Sequence, residues 1–361
     1  MLYYLLYSLH KYISPFNVFR YITFRTALAT LTALIISFAM GPWLIRKLKK
    51  FQVRQTIREV VPETHRGKEG TPTMGGLLIL TAILVPTLLW ADLRNIYVWI
   101  LMLSTILFGL LGFVDDYLKL RRSRSRGLTI KVKLLYQIAI GGLVAFILEY
   151  LIREGMYTAE LSFPFFKTLT PDLGWFYVPL VIAVIVGASN AVNMTDGLDG
   201  LAIGSVLIAS ATYAILAYVA GHAVVAAYLN ITNVRGVGEL AIFCGGMVGA
   251  ALGFLWFNCH PAQIFMGDVG SLALGGAMGT VAVLIKQEIL LLLVGGLFVV
   301  EALSVIIQII SFRFYGKRVF KMAPLHHHFE LLGWKESKII IRFLIIAIIF
   351  ALLSLSTLKL R

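Results

Sequence analysis

The segment Asn190-Ala-Val-Asn-Met-Thr-Asp-Gly-Leu-Asp-Gly200 directly follows an apolar stretch long enough to span a bilayer. Four polar residues recur in it at every third position: Asn190, Asn193, Asp196 and Asp199. Because each such step on an α-helix leaves the side chains about 60° out of register, the four would cover about half of a straight helix. Gly197 and Gly200 favour a break or a 3₁₀ turn. We therefore predict that the helix ends within this run, so that amides and carboxylates converge at a membrane edge.

The composition around this segment is that of a membrane protein. Of 361 residues, 59% are hydrophobic and 14% are charged, and the mean hydropathy is +0.86. A soluble globular protein with these values would be unusual. The formal net charge of +14 does not indicate nucleic-acid binding, because the basic residues lie in loops between apolar segments. The two cysteines, Cys244 and Cys259, fit no metal-binding spacing.

About 20 apolar residues are needed to cross a bilayer as a helix. Apolar segments of about that length occur ten times, near residues 22–44, 73–91, 97–114, 132–152, 174–192, 200–220, 238–257, 269–286, 289–312 and 338–358. No segment between them is long enough for a soluble domain. The sequence therefore predicts an all-α fold, a polytopic membrane bundle of about ten helices, in which residues 1–361 form one domain.

The distribution of lysine and arginine predicts the orientation of the bundle. The loops at 46–68, 119–133 and 313–338 hold 21 of the 32 basic residues, whereas the tails and the other loops hold ten. Cytoplasmic loops carry an excess of such residues. The three basic loops are therefore predicted to be cytoplasmic, and both termini periplasmic.

Unusual polar residues gather at the predicted cytoplasmic ends of five segments. These are Thr71-Pro-Thr-Met-Gly-Gly76, Asp115-Asp116, the run from Asn190 to Gly200, Asn258 to Asp268, and His326-His-His328. The periplasmic loops carry only scattered charges. This asymmetry indicates chemistry at the cytoplasmic edge of the membrane.

The residue types in these segments suggest a site for a phosphate and a hard cation. Asp268 lies between Gly267 and Gly270 at the start of an apolar segment, where free helix amides can receive an anion. Carboxylates beside a phosphate site suit Mg²⁺. The alternatives are a solvated helix boundary for Asp115 and Asp116, and a helix cap for Asp268.

Two further polar features are open to more than one interpretation. In an extended chain His326 and His328 would share a face. They are interpreted as hydrogen-bond donors to a phosphate or a sugar, with a zinc site or a surface loop as alternatives. Glu301 lies in the middle of an apolar span and is interpreted as a buried, hydrogen-bonded residue, paired with Gln308.

Taken together, five segments closely resemble the phospho-N-acetylmuramoyl-pentapeptide-transferase family, a branch of the polyprenyl-phosphate N-acetylhexosamine-1-phosphate transferases. They are Gly70 to Gly76, Gly112-Phe-Val-Asp-Asp-Tyr117, Asn190 to Gly200, Phe265-Met-Gly-Asp-Val-Gly-Ser271 and Met322-Ala-Pro-Leu-His-His-His328. The paired aspartates and the Asp-Gly-Leu-Asp-Gly run are shared across the wider group. The three histidines narrow the resemblance to the branch.

The resemblance implies transfer of phospho-N-acetylmuramoyl-pentapeptide from UDP to undecaprenyl phosphate at the bacterial inner membrane, with Mg²⁺ as cofactor, release of UMP and formation of lipid I. It implies Asp115, Asp116 and Asp268 as catalytic residues, and Asp268 as the metal ligand. It implies substrate binding by Lys68, Thr73, Asn190, Asn193, Asp196, Asn258, His326, His327 and His328. Lys68 matches the pattern less well, because Glu69 stands where another basic residue is expected. The family is expected to act in the bilayer beside the later lipid-intermediate glycosyltransferase, and the sequence leaves open whether the protein forms a homodimer.

Several alternatives remain open at the level of sequence. In one mechanism Asp115 deprotonates the lipid phosphate, which attacks directly; in the other an aspartate attacks first and forms a phosphoryl-enzyme. A related transferase would use UDP-N-acetylglucosamine. A secondary transporter is compatible with ten spans and Glu301, although its polar residues would gather at the bilayer midplane. A non-catalytic scaffold would not explain carboxylates at three helix ends.

Overall fold

The computed structural model describes residues 1–50, 70–121, 127–166 and 169–360. Lys68 and the basic residues from Arg122 to Arg126 lie outside these ranges. Within them the regular elements are helices and no β-strand is present. The all-α prediction is confirmed.

Nine helices in the described ranges are long and apolar enough to cross a membrane. They are α2 (Ile22–Lys50), α4 (Ile96–Arg121), α5 (Ile130–Arg153), α6 (Tyr177–Thr195), α7 (Leu201–Gly221), α9 (Leu240–Asn258), α10 (Gly267–Leu284), α12 (Gly296–Tyr315) and α14 (Glu336–Leu360). The shorter helices are α1 (Leu2–Ser8), α3 (Gly76–Trp90), α8 (Ala223–Leu229), α11 (Leu291–Val294) and α13 (Leu325–Glu330).

Two of the ten predicted spans differ from the observed helices. The second is α3, which has 15 residues and is therefore about 22 Å long, less than the ~30 Å hydrocarbon core of a bilayer. The ninth is divided, because α11 ends at Val294 and α12 begins at Gly296. Length was overestimated for α3 because Thr71–Gly75, which precede it, are not helical.

Helix α10 lies at the centre of the bundle and packs against α3, α4 and α6. Glycines make the contacts with α3 and α4 very close. A Cβ atom at Gly112 of α4 would lie 2.1 Å from the carbonyl oxygen of Asp268, and one at Gly76 of α3 would lie 2.1 Å from the nitrogen of Gly270. Because only a residue without a side chain fits at these positions, α3 and α4 meet the N-terminus of α10 almost backbone to backbone.

The predicted break in the polar run is present. Helix α6 ends at Thr195, α7 begins at Leu201, and Gly200 between them has a φ of 82°. Residues 196–200 therefore form a turn, which we call the α6–α7 turn. It places the carboxylate of Asp196 outside both helices.

A buried ion pair closes the opposite end of the bundle. The guanidinium of Arg25 in α2 donates to both carboxylate oxygens of Glu239, at 2.8 and 2.5 Å, and to the carbonyl oxygen of Trp90 at 3.0 Å. The side chain of Arg25 is only 2% exposed. This contact joins α2, α3 and the segment before α9.

Candidate active site

Three carboxylates from two helices converge at one end of the bundle. Asp115 and Asp116 lie near the end of α4, and Asp268 lies in the first turn of α10. Each offers one oxygen, and these three oxygens lie within 4.8 Å of one another. The close packing of Gly112 against the backbone of Asp268 brings the two helix ends together.

Two lysines neutralise part of this charge. Nζ of Lys119 lies 2.6 Å from Asp115, 3.3 Å from Asp116 and 2.9 Å from Asp268. Nζ of Lys133, in the first turns of α5, lies 2.9 Å from Oδ2 of Asp268. Close packing of three carboxylates is unfavourable without such cations, since like charges repel. We call these five residues the carboxylate–lysine centre.

Neutral donors fix the orientation of each carboxylate. The backbone N–H of Leu128 donates to Oδ1 of Asp115 at 2.7 Å, and that of Val269 donates to Oδ2 of Asp116 at 3.2 Å. The amide of Asn193 in α6 donates to Oδ1 of Asp268 at 2.9 Å. The carboxylates thus accept hydrogen bonds from three separate parts of the chain: the segment before α5, α10 and α6.

The segment from Thr71 to Gly76 forms one wall of the centre. Backbone hydrogen bonds join it to Phe265 and Met266: Phe265 N–H donates to the Pro72 carbonyl, and Gly75 and Gly76 N–H donate back. Gly267 has a φ of 71°, and a Cβ atom there would lie 2.5 Å from Oδ2 of Asp116 and 3.0 Å from Oγ1 of Thr73. The hydroxyl of Thr73 therefore lies beside the carboxylates.

Asp196 lies on the α6–α7 turn, near the same centre. Burial raises its pKa to about 7, and the neighbouring carboxylates of Asp268, Asp116 and Asp199 add to the shift. Its side chain has no hydrogen bond to another described residue. Near neutral pH this carboxyl group is therefore divided between its neutral and charged forms.

Other predicted site residues have their polar atoms engaged by the protein. The amides of Asn190 and Gln137 are paired, with Nδ2 of Asn190 donating to Oε1 of Gln137 at 2.8 Å. Asn258 donates to the Ile264 carbonyl and accepts from the N–H of Gly200. Asp199 accepts from Ala262 N–H and lies 3.3 Å from the ring of His260. These contacts brace the loops around the centre.

The three histidines are not in an extended chain, so the shared face expected for His326 and His328 is wrong. They lie on α13, where successive side chains are about 100° apart. His326 is completely buried, His327 lies 2.7 Å from Oε2 of Glu330, and Nδ1 of His328 accepts from the N–H of Lys321. Only His327 and His328 are partly exposed.

The expected pairing of Glu301 with Gln308 is also wrong. Gln308 instead caps the backbone of Val319 and Phe320. Glu301 faces His326, with Oε2 3.3 Å from Nδ1. Periodicity on one helix suggested the first pairing, whereas the return of the chain through α13 determines the second.

The donor set of the centre fits a hard divalent cation. Three carboxylate oxygens lie within 4.8 Å of one another, close enough to bind one ion together. Such oxygens are the ligands that Mg²⁺ prefers. Three negative and two positive side chains leave a surplus of one negative charge. Asp268 is the most accessible of the three, with 17% of its side chain exposed.

Sequence reasoning missed the two lysines. Lys119 and Lys133 were interpreted only as topology charges, although Lys119 follows Asp115 by four residues on the same helix, a spacing at which opposite charges pair. Lys133 gave no such signal, because its partner is 135 residues away.

A polytopic helical bundle with a carboxylate–lysine centre at one end fits a membrane-embedded phosphoglycosyl transferase. In agreement, the model of Glycosyl transferase family 4 matches residues 98–286, and signature 1 of the phospho-N-acetylmuramoyl-pentapeptide-transferases matches residues 68–80. The chain is a multi-pass protein of the bacterial inner membrane.

Similar proteins identify the branch of the family to which the chain belongs. The phospho-N-acetylmuramoyl-pentapeptide-transferase of Pelobacter propionicus is 57% identical over 361 residues, and that of Desulfatibacillum aliphaticivorans is 60% identical over 363 residues. The one from Koribacter versatilis is 57% identical over 380 residues, and all three alignments cover 100% of both chains. The chain belongs to the phospho-N-acetylmuramoyl-pentapeptide-transferase family.

Proposed function

We propose that this protein transfers phospho-N-acetylmuramoyl-pentapeptide from its UDP carrier to undecaprenyl phosphate, which releases UMP and forms lipid I. The observation that carries the proposal is the carboxylate–lysine centre at the adjoining ends of α4, α5 and α10. A site at the edge of a membrane bundle can receive a soluble nucleotide from one side and a prenyl chain from the bilayer. Phosphoryl transfer needs mainly positioning and charge neutralisation, which this centre supplies.

In the proposed reaction an oxygen of undecaprenyl phosphate attacks the sugar-bearing phosphorus in line. The bond from that phosphorus to the oxygen of UMP breaks, and UMP leaves. Asp115 takes the proton of the attacking phosphate. Its other interactions suit this role, because Leu128 N–H and Lys119 keep its carboxylate oriented. Asp116, held by Val269 N–H, is the second catalytic carboxylate.

The lysines would share the charge of the diphosphate. Nζ of Lys119 contacts all three aspartates. A small movement of this ammonium group would let it pair with a phosphate oxygen of the substrate. Lys133 contacts Asp268 alone. Direct electrostatic stabilisation of this kind is the main contribution of proteins to phosphoryl transfer.

Mg²⁺ is the proposed cofactor, with Asp268 as its ligand and Asp115 and Asp116 close enough to contribute. When bound, it would neutralise charge on the diphosphate oxygens. Asn193 supports this assignment, since its amide fixes one oxygen of Asp268 and also donates to Ser271. The second oxygen is left to cations.

The nucleotide and sugar are proposed to bind along the walls of the centre. Thr73, Asn193 and Asp196 lie beside the carboxylates. His327 and His328 present partly exposed rings for the polar part of the sugar nucleotide. Lys68, Asn190, Asn258 and His326 complete the proposed set. Asn190 is partly exposed, Asn258 and His326 act from buried positions, and Lys68 lies outside the described residues.

The remaining proposals concern the surroundings of the site. We propose that the centre faces the cytoplasm, that both termini are periplasmic and that the whole chain forms one domain. The basic end of α2, with Lys47, Lys49 and Lys50, supports this orientation. A homodimer and contact with the later lipid-intermediate glycosyltransferase are further proposals.

The test is UMP release by the purified protein in detergent or nanodiscs. UDP-N-acetylmuramoyl-pentapeptide, undecaprenyl phosphate and Mg²⁺ are each supplied or omitted, and UDP-N-acetylglucosamine replaces the nucleotide in a parallel series. Release that requires all three components supports the proposal. UMP release only with UDP-N-acetylglucosamine would show that the protein catalyses the related reaction instead. Substrate flux into vesicles without bond cleavage would show that the protein is a transporter. A covalent sugar phosphate trapped with nucleotide alone would exclude direct attack.

A further inference from the structure

Glu301 and His326 form a completely buried pair behind the α6–α7 turn. Both side chains are 0% exposed, and Oε2 of Glu301 lies 3.3 Å from Nδ1 of His326. The distance is that of an ion pair, although the groups are not aligned for a hydrogen bond. Neither ring nitrogen and neither carboxylate oxygen has a hydrogen bond to any described residue.

Such a pair requires an explanation. Burying a carboxylate and an imidazole with so few partners costs free energy, and an apolar pair of the same size would be at least as stable. Buried polar groups without partners are rare in folded proteins. Stability alone therefore does not account for the Glu301–His326 pair.

The other edge of the His326 ring touches the α6–α7 turn. A Cβ atom at Gly197 would lie 2.2 Å from Nε2 of His326, so the ring lies directly against the backbone of Gly197. Any residue with a side chain at this position would push the ring away. The imidazole is thus a spacer between α12, which carries Glu301, and the turn that carries Asp196.

The two halves of the turn are held differently. In its second half, Asp199 N–H donates to Oε1 of Glu336 and Gly200 N–H donates to Oδ1 of Asn258, both at 3.0 Å. In its first half, Gly197 N–H bonds only locally, to the carbonyl of Thr195, and the side chain of Asp196 has no hydrogen bond to a described residue. The contact with His326 is therefore the main restraint on the first half.

We propose that Glu301 is a positioning residue that acts through His326 to hold Asp196 and Gly197 in place for the nucleotide substrate. Glu301 fixes the ring from the Nδ1 side, and the ring supports the turn from behind. This inference rests on the proposed function, in which Asp196 contributes to the nucleotide site. Neither Glu301 nor His326 touches the reacting atoms in this arrangement.

The test is a double-mutant cycle with Glu301→Gln, His326→Gln and the double variant. The readout is kcat/KM for the nucleotide at saturating undecaprenyl phosphate, per folded molecule. Each single variant is expected to lower it about tenfold to a hundredfold, the range for loss of a charged contact. Because Glu301 acts through His326, the double variant should be no worse than the poorer single variant.

The matched control is Glu288→Gln. Glu288 is equally buried, pairs with Lys286 at 3.3 Å and lies on the segment between α10 and α11, outside the proposed site. This variant is expected to lower the unfolding temperature while kcat/KM stays within about twofold. The comparison separates a loss of positioning from a general loss of stability.

Gly197→Ala provides a variant that keeps both buried groups. Its Cβ atom would displace the ring from the turn and should lower kcat/KM as Glu301→Gln does. Normal kcat/KM in folded Glu301→Gln would overturn the proposal, as would losses that multiply in the double variant. If Glu301→Gln does not fold, unchanged kcat/KM in Gly197→Ala would overturn it. UMP release by the unmodified protein reports on the proposed function separately.

Discussion

Nζ of Lys133 lies 2.9 Å from Oδ2 of Asp268, and this contact joins the start of α5 to the start of α10. Lys119 reaches the same oxygen from the end of α4, also at 2.9 Å. Three helix ends are therefore fastened by one carboxylate oxygen.

Asp268→Asn should abolish transfer while the protein still folds. The amide keeps the shape of the side chain but removes the charge that would bind the metal, so we expect UMP release to fall about a hundredfold or more. The measurement is turnover together with the unfolding temperature in detergent. Asp172→Asn, at an exposed aspartate far along the chain, is the control and should retain full turnover. Near-normal turnover of Asp268→Asn would reject it as the ligand.

Lys133→Met should lower kcat about tenfold or more, because Asp268 and the diphosphate would then share one lysine instead of two. Lys131→Met is the matched control, since Lys131 is exposed and lies two residues away in the same helical turn. Steady-state UMP release measures both. Equal effects of the two variants would show that Lys133 contributes only to the general positive charge of this surface.

Gly267→Ala should inactivate the protein by displacing Asp116. Its φ of 71° makes any side chain cost roughly 1 kcal/mol, and the new Cβ would lie 2.5 Å from Oδ2 of Asp116. Gly316→Ala is the control, because Gly316 has a similar φ of 63° but no atom within 4 Å of the new Cβ. Both variants should lose similar backbone stability in thermal unfolding. Activity should be lost only in the first, and retention there would contradict the geometry.

Asp196 should make the protein less stable as the pH rises. Because burial raises its pKa from 3.8 to about 7, the folded protein binds a proton that the unfolded chain has lost between these values. The contribution of Asp196 to the free energy of unfolding is therefore largest below about pH 4 and decreases as the pH rises to about 7. Asp196→Asn should flatten this part of the unfolding-temperature profile. The exposed Glu154→Gln should leave the slope unchanged, and an unchanged slope in Asp196→Asn would be evidence against the shift.

Arg25→Met should destabilise the bundle without affecting the site. It removes the cation that pairs with Glu239, whose side chain is only 12% exposed and keeps the N–H of Asp92 as a donor. The expected cost is roughly 3 kcal/mol, and the double variant with Glu239→Gln should regain part of that loss. Arg153→Met breaks an exposed pair with Glu149 and should cost less than about 1 kcal/mol. Denaturant unfolding in detergent measures all three. Similar losses for Arg25 and Arg153 would show that the buried pair has no special role.

Much of the fold followed from the sequence because a bilayer requires long apolar helices. The helix break before Gly200 followed from glycines and polar residues in a fixed order. Eight of the nine spanning helices in the described ranges lie where apolar segments predicted them, and the ninth, α12, begins later because the predicted span is divided at Gly295. Helix α3 was predicted too long because hydropathy does not distinguish a buried loop such as Thr71–Gly75 from a helix. Hydropathy reports which side chains are buried, and it carries no information on whether the backbone that bears them is helical.

The sequence also selected the site residues Asp115, Asp116 and Asp268, since carboxylates at helix ends in an apolar chain stand out. It did not select Lys133 or the partner of Glu301, because both contacts join segments distant in the chain and neither leaves a local pattern. It did not distinguish the three histidines from one another, whereas in the structure His326 is buried and His327 and His328 are partly exposed.

The sequence by itself thus determined the helices, the membrane location and the residue types that gather at one end of the bundle, because hydrophobic periodicity and helix-breaking residues act locally. Only the tertiary structure decided which cation meets which carboxylate and which polar groups are buried. Gly112 and Gly197 are examples, since each allows close approach of a segment that is distant in the chain. A residue's neighbours across the bundle are set by packing, which no short stretch of sequence contains.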